Sequence, residues 1–215
     1  MMVRERRKTL QMTAGSASGR DEVCLIPSCR YARAGLEALA DGAGTCVREL
    51  KQLSDVLPVC SGPFRLLICH LDGDIASLAG GVSLLGDVLR IHSSTQPVVI
   101  LTRAKMPWLY GTLLHLGGRA ECLKSVWILD ACCPVSHLVA LMAGTLPDSA
   151  RLLKGRASYA LAEGLTRREM DVVQGVLRGE RIGDMARRTG LAATVLYAQR
   201  AGGLRKLGLS RRGAK

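Results

Sequence analysis

A doubly wound α/β body with a five-stranded parallel sheet, followed by a small all-α module, is the fold the sequence predicts, on three observations. From Glu22 to Ala143 short apolar runs alternate with helix-length segments in five successive units, the pattern of a parallel sheet with right-handed crossovers and helices on both faces. Pro147 to Glu163 interrupts this rhythm with Pro147, Asp148, Ser149 and Gly155 ahead of a basic segment, the composition of a linker. From Leu165 to Arg212 three short helical patterns follow closely and end in a basic helix. The resulting boundaries are 1–20 for a tail, 21–146 for the body, 147–163 for the linker and 164–215 for the helical module.

Taken in order, residues 1–20 are basic, then small and polar without periodicity, and predict a disordered tail. Val23 to Ile26 predicts a buried strand, and Tyr31 to Ala40 a helix with Leu36 and Leu39 inward. Thr45 to Val47 predicts a strand and Glu49 to Leu57 a short helix. Phe64 to His70 (FRLLICH) is a continuous apolar run, which fits a strand covered on both faces. Ile75 to Arg90 reads as a helix interrupted at Gly80 and Gly81, and Pro97 to Thr102 as the next strand. Trp108 to Leu116, Cys122 to Leu123 and Val135 to Ala143 complete the series as helix, strand and helix.

The net charge of +12 divides unevenly: residues 1–20 carry +4, residues 21–150 carry −2 and residues 151–215 carry +10. A near-neutral body joined to a strongly basic module fits binding of a polyanion by that module, because neutralised phosphates release counterions. The first twelve residues lack the apolar core of a signal peptide, and no run approaches the roughly 18 apolar residues of a membrane span, so a cytoplasmic protein is expected. The eight cysteines lie in the body, mostly inside apolar runs, with no CxxC pair; reduced thiols follow. Cys69 with His70, Cys132 with Cys133, and His137 have no zinc-finger spacing, and glycine motifs for phosphate are absent, so no metal, cofactor or catalytic residue is expected.

In the module, Thr166 with Glu169 three residues on forms a capping-box signature, followed by the inward stripe Val172, Val173, Val176 and Leu177. Ile182, Met185 and Ala186 mark a second short helix ended by Gly190, and a third runs from about Ala192 to Leu207. A helix-turn-helix needs this arrangement, one helix holding another whose outer face meets base edges. Helical spacing turns Leu191, Leu196, Gly203 and Leu207 inward and Thr194, Tyr197, Ala198 and Ala201 outward, with Gln199 and Arg200 on the flank. Thr194, Tyr197 and Arg200 are expected in the groove of double-stranded DNA, and Arg187, Arg188, Gln199, Arg205 and Lys206 on its backbone.

These residues resemble the LuxR-type helix-turn-helix of bacterial transcription regulators: LTRRE at 165–169, the break at Gly179, Asp184-Met185-Ala186, and RKLGL at 205–209. Gln199-Arg200 with the RKLGL ending is most similar to the Rcs-type capsule and envelope-stress branch. Two departures stand out. Gly202 and Gly203 lie inside the reading helix, where each costs about 1 kcal/mol relative to Ala. The chain ends at Lys215, where the family continues into a fourth helix that helps pair subunits, so pairing through that helix is not expected.

The body resembles the response-regulator receiver, a flavodoxin-like sheet in the order 2-1-3-4-5. The resemblance implies a phosphorylation site made of two acids after the first strand, an Asp ending the third, and a Thr or Ser and a Lys after the fourth and fifth. Here Pro27, Ser28 and Cys29 follow the first strand, His70 stands in the acceptor place, and only Thr102 and Lys124 match. Without carboxylates there is no oxygen cage for Mg²⁺, and without the Asp no acyl phosphate forms. Asp72 and Asp74 fall beyond the strand, in the loop. The expectation is a pseudo-receiver whose Cys122 to Ala143 stretch pairs subunits, in a phosphorylation-independent regulator that acts as a homodimer or a heterodimer. The alternative is an auxiliary co-regulator that binds DNA weakly alone and works through another regulator. An enzyme or redox sensor built on the cysteine-rich body is the third class.

Overall fold

The computed structural model describes residues 22–60, 64–91, 96–154 and 164–209. The expected tail, most of the basic segment before Leu165, and Arg211 and Arg212 lie outside them. Six strands, β1 (Glu22–Ile26), β2 (Cys46–Glu49), β3 (Leu66–His70), β4 (Val98–Thr102), β5 (Val126–Asp130) and β6 (Arg151–Leu152), form one sheet in the order β2-β1-β3-β4-β5-β6. The first five are parallel, and the doubly wound α/β class is as the alternation predicts.

Because side chains alternate along a strand, each central strand feeds two cores. Cys24, Ile26, Leu67, Cys69, Val98 and Ile100 face α3 (Ile75–Ile91) and α4 (Leu109–Gly117). Val23, Leu25, Leu66, Ile68, Val99 and Leu101 face α1 (Arg30–Gly42) and α5 (Val135–Met142). Burial on both faces is the reason these strands read as unbroken apolar runs.

Four expectations need correction. Cys122 and Leu123 are not a strand: both are buried in a 3-10 turn, Ala120–Ser125, and the strand is the run VWILD that follows it. An isolated buried apolar pair does not distinguish a helical turn from a strand. The helix placed at Glu49 instead starts at α2 (Leu53–Cys60), because Leu50 still donates its N–H to Leu25 and Asp55 accepts from the N–H groups of Lys51 and Gln52. α3 runs without a break through Gly80 and Gly81; a Cβ on Gly81 would stand 2.7 Å from Leu71 Cδ2, so the missing side chain is a packing requirement. The stretch expected as linker contributes β6, which pairs antiparallel with β5.

The helical module comprises α6 (Arg167–Leu177), α7 (Ile182–Thr189) and α8 (Ala193–Lys206). Thr166 and Glu169 form the predicted capping box, and Gly190 closes α7 at φ +69°, a conformation that favours glycine. Val172, Ile182, Met185 and Leu196 make a small core of their own. The opposite side of α6 belongs to the body: Leu165, Met170 and Val173 join the cluster that contains Leu109, Leu113 and Leu116 of α4. Polar groups fix the dock. The Leu165 N–H donates to Thr112 Oγ1 (2.8 Å), His115 Nδ1 donates to the Leu165 carbonyl (3.2 Å), and Gln174 Nε2 donates to the Ala79 carbonyl (2.9 Å). Arg167 reaches Asp87 at 3.1 Å and the Leu116 carbonyl at 3.0 Å.

Candidate nucleic-acid interface and the sheet edge

α8 lies across α6 and α7 with Leu196 and Gly203 buried beneath it. The two glycines have a packing cause. A Cβ at Gly203 would stand 2.6 Å from Val173 Cγ2, and one at Gly202 2.8 Å from Glu169 Oε1. Their helix-propensity cost therefore accompanies a close approach of α8 to α6 rather than a slack helix.

The outer face of α8 carries Thr194, Ala198, Ala201 and Arg205, spaced four, three and four residues apart, all exposed, with Tyr197 beside them. Arg200 is exposed on the flank. Among the described residues, Arg200 and Arg205 form no salt bridge, as do Arg178 and Arg181, which sequence spacing did not single out. The other expected contacts differ. Lys206 is turned inward, 2.7 Å from Glu169 and donating to the Gly164 carbonyl at 2.9 Å, with its side chain 17% exposed. Burial pushes the Glu169 carboxyl up, but the Lys206 ammonium and the Thr166 N–H outweigh it and hold the group below its usual range. Lys206 is a structural cation here, not a free phosphate ligand. Arg188 makes a two-point contact with Glu180 at 3.0 Å, and Arg187 pairs with Asp184. Gln199 is half-buried, and its Oε1 is buried with no hydrogen-bond partner.

The carboxyl edge of the sheet gathers most of the expected phosphorylation-site positions. Strand register pairs Ile26 with Cys69, His70 with Leu101, and Thr102 with Asp130, so the loops after β1, β3, β4 and β5 open on one side. Ser28 Oγ hydrogen-bonds His70 Nδ1 at 2.6 Å, and burial pushes the half-buried His70 imidazole down toward its neutral form. Cys29 caps α1, its sulfur accepting the Ala32 N–H at 3.5 Å, which lowers the thiol. Thr102 Oγ1 accepts the N–H of Ala104.

Lys124 does not belong to this edge. It lies in the 3-10 turn before β5, at the other end of the strand, and pairs with Glu121 at 2.5 Å. β5 begins four residues beyond Cys122, and the residue that ends it is Asp130. The two loop acids are engaged: Arg103 holds Asp72 at 2.9 Å and depresses its carboxyl, while Asp74 accepts the Ser77 N–H as the cap of α3. Arg103 is a charged member of this edge that the sequence pattern did not reveal. Among the described residues no group of three or more His, Cys, Asp or Glu side chains is arranged to hold a metal ion, and no helix is long and apolar enough to cross a membrane.

No protein-family model matches the chain, and no curated protein does. Among solved structures it is similar to the response regulator StyR, at 18% identity over 89% of this chain and 93% of that one, with a TM-score of 0.41. It is also similar to the RcsB response regulator of Salmonella typhimurium, at 15% identity over 91% and 94% of the two chains, TM-score 0.46. A structure of RcsB in complex with DNA matches at 15% identity over 88% and 93%, TM-score 0.46.

Proposed function

We propose that the chain is a sequence-specific DNA-binding transcription regulator that enters the major groove with α8. The observation that carries this reading is the exposed outer face of α8, held by α6 and α7 across the Gly190 turn within a segment of net charge +10. Thr194, Tyr197, Ala198 and Arg200 meet the groove, and Arg205 meets phosphate. Arg187 and Arg188 reach phosphate by exchanging surface carboxylates whose pairing contributes little. Two copies, or one copy beside another regulator, occupy paired half-sites. Titration of labelled duplexes against the full chain tests this: affinity that falls steeply with salt and prefers particular sequences is expected, and salt-independent or absent binding refutes it.

The body works without phosphorylation on this proposal. What supports it is chemical: Pro27, Ser28 and Cys29 supply no carboxylate, His70 ends β3, Asp72 is held by Arg103, and Asp74 is spent on a helix cap. Intact mass after incubation with acetyl phosphate should be unchanged. An aspartyl phosphate mapped to Asp72 or Asp74 refutes this part and leaves DNA binding standing.

A further inference from the structure

We infer that α8 recognises its half-site through thymine methyl groups. The inference rests on the DNA-binding reading above and names what that face selects.

The chemistry of the outer face leaves few options. A Thr hydroxyl bonds base edges of either kind without telling them apart, whereas discriminating hydrogen-bond readout of a guanine uses Arg or Lys, of an adenine Asn or Gln, and of a cytosine Asp or Glu. Across its centre α8 offers none of these: Thr194, Ala198 and Ala201 present methyl groups, and Tyr197 and Val195, 56% and 41% exposed, extend the apolar surface on either side. Among the described residues no side chain covers them. The carboxamide of this helix, Gln199, is turned away from that face with its oxygen buried and unpartnered. The unpaired guanidinium groups stand off the centre, Arg200 on the flank at the rim of the groove and Arg205 at the end of the helix, where it meets phosphate. In the major groove the one apolar feature that distinguishes a base pair is the C5 methyl of thymine. A methyl-rich strip framed by unpaired arginines fits a groove wall lined with such methyls, and at its centre it offers a G·C pair no two-point hydrogen-bond partner.

The test uses the full chain and its own preferred duplex, selected from a random pool and rebuilt with deoxyuridine in place of thymidine in each half-site. Uracil pairs as thymine does and lacks only the methyl. Each substitution under α8 should weaken binding about fourfold, the loss of one buried methyl. The same change outside the half-sites should leave affinity alone. Ala198→Gly should narrow the thymidine-to-deoxyuridine ratio, a quantity measured within one protein and so insensitive to its stability. Arg205→Ala should weaken both duplexes equally. Selected half-sites whose affinity is indifferent to loss of their methyls, or that contain no thymine, overturn the inference while leaving DNA binding intact. Absence of any sequence preference overturns both.

Discussion

Leu165→Ala tests whether the helical module and the α/β body form one cooperative unit. Leu165 is fully buried, and it sits in the larger core with Leu109, Leu113 and Leu116 rather than in the small core of the module. Its backbone N–H and carbonyl are bonded to Thr112 and His115, and the substitution leaves those bonds in place. The loss is therefore the transfer of the leucine side chain plus the cavity it leaves, about 3 kcal/mol within the usual span for such truncations. With a urea slope of about 2.5 kcal/mol per molar, the midpoint falls by roughly 1 M. Both tryptophans, Trp108 and Trp127, lie in the body, so their fluorescence reports body unfolding alone, while far-ultraviolet circular dichroism reports all helices. If the dock makes one unit, both signals move together by that amount. A fluorescence midpoint that stays in place, with an earlier separate loss of helical signal, refutes the shared core.

The glycines of α8 and α3 predict opposite outcomes. Gly203→Ala gains about 1 kcal/mol of helix propensity but drives a methyl into Val173, a buried β-branched side chain with little freedom, so a net loss of about 1 kcal/mol is expected in urea denaturation. Gly80→Ala meets nothing within 4 Å and should stabilise by about 1 kcal/mol. Burial lowers the His70 pKa, so the unfolded chain binds the proton more readily; the contribution of His70 is complete above its ordinary value near 6.5 and declines as pH falls below it. His70→Gln should flatten that part of the stability profile, and an unchanged slope contradicts the assignment. On the proposed DNA-binding role, Arg205→Ala should reduce the slope of log affinity against log salt by about 0.9, the value of one phosphate contact.

Where one physical signal dominated, the sequence was legible. β1, β3 and β4 are buried on both faces and appear as apolar runs, and the Thr166–Glu169 box announces α6 because both halves of the motif are local. β5 was legible too, since VWILD is such a run, but the buried pair Cys122-Leu123 drew the assignment away and carried Lys124 with it. β6 has two residues and owes its existence to its partner strand, so no local pattern encodes it. The inward turn of Lys206 depends on Gly164 and Glu169, and the need for Gly202 and Gly203 on Glu169 and Val173, all of them distant in the chain. In each case the deciding neighbour is distant in the chain, and helical spacing alone ranks such residues by direction, not by partner.

The same long-range contacts relate the sheet edge to α8. Thr102 ends β4, and Arg103 begins the loop that leads to α4, tied to the β3 side by Asp72. α4 then presents Thr112, His115 and Leu116 to the segment Leu165–Arg167, and α6 carries α8 through Val173 and Gly203. Every step is a packed side chain or a hydrogen bond, and none requires a phosphoryl group. A mechanical route of this kind carries coupling where its elements have two arrangements. Arg103 is exposed and Asp72 only partly buried, so the pair contributes little to stability, and Asp72→Asn should leave the unfolding free energy from urea denaturation within about 0.5 kcal/mol of the parent. If DNA affinity moves tenfold while stability does not, the edge biases α8. If neither moves, the route is scaffolding, and the body acts on DNA binding only through the copies or partners it brings together.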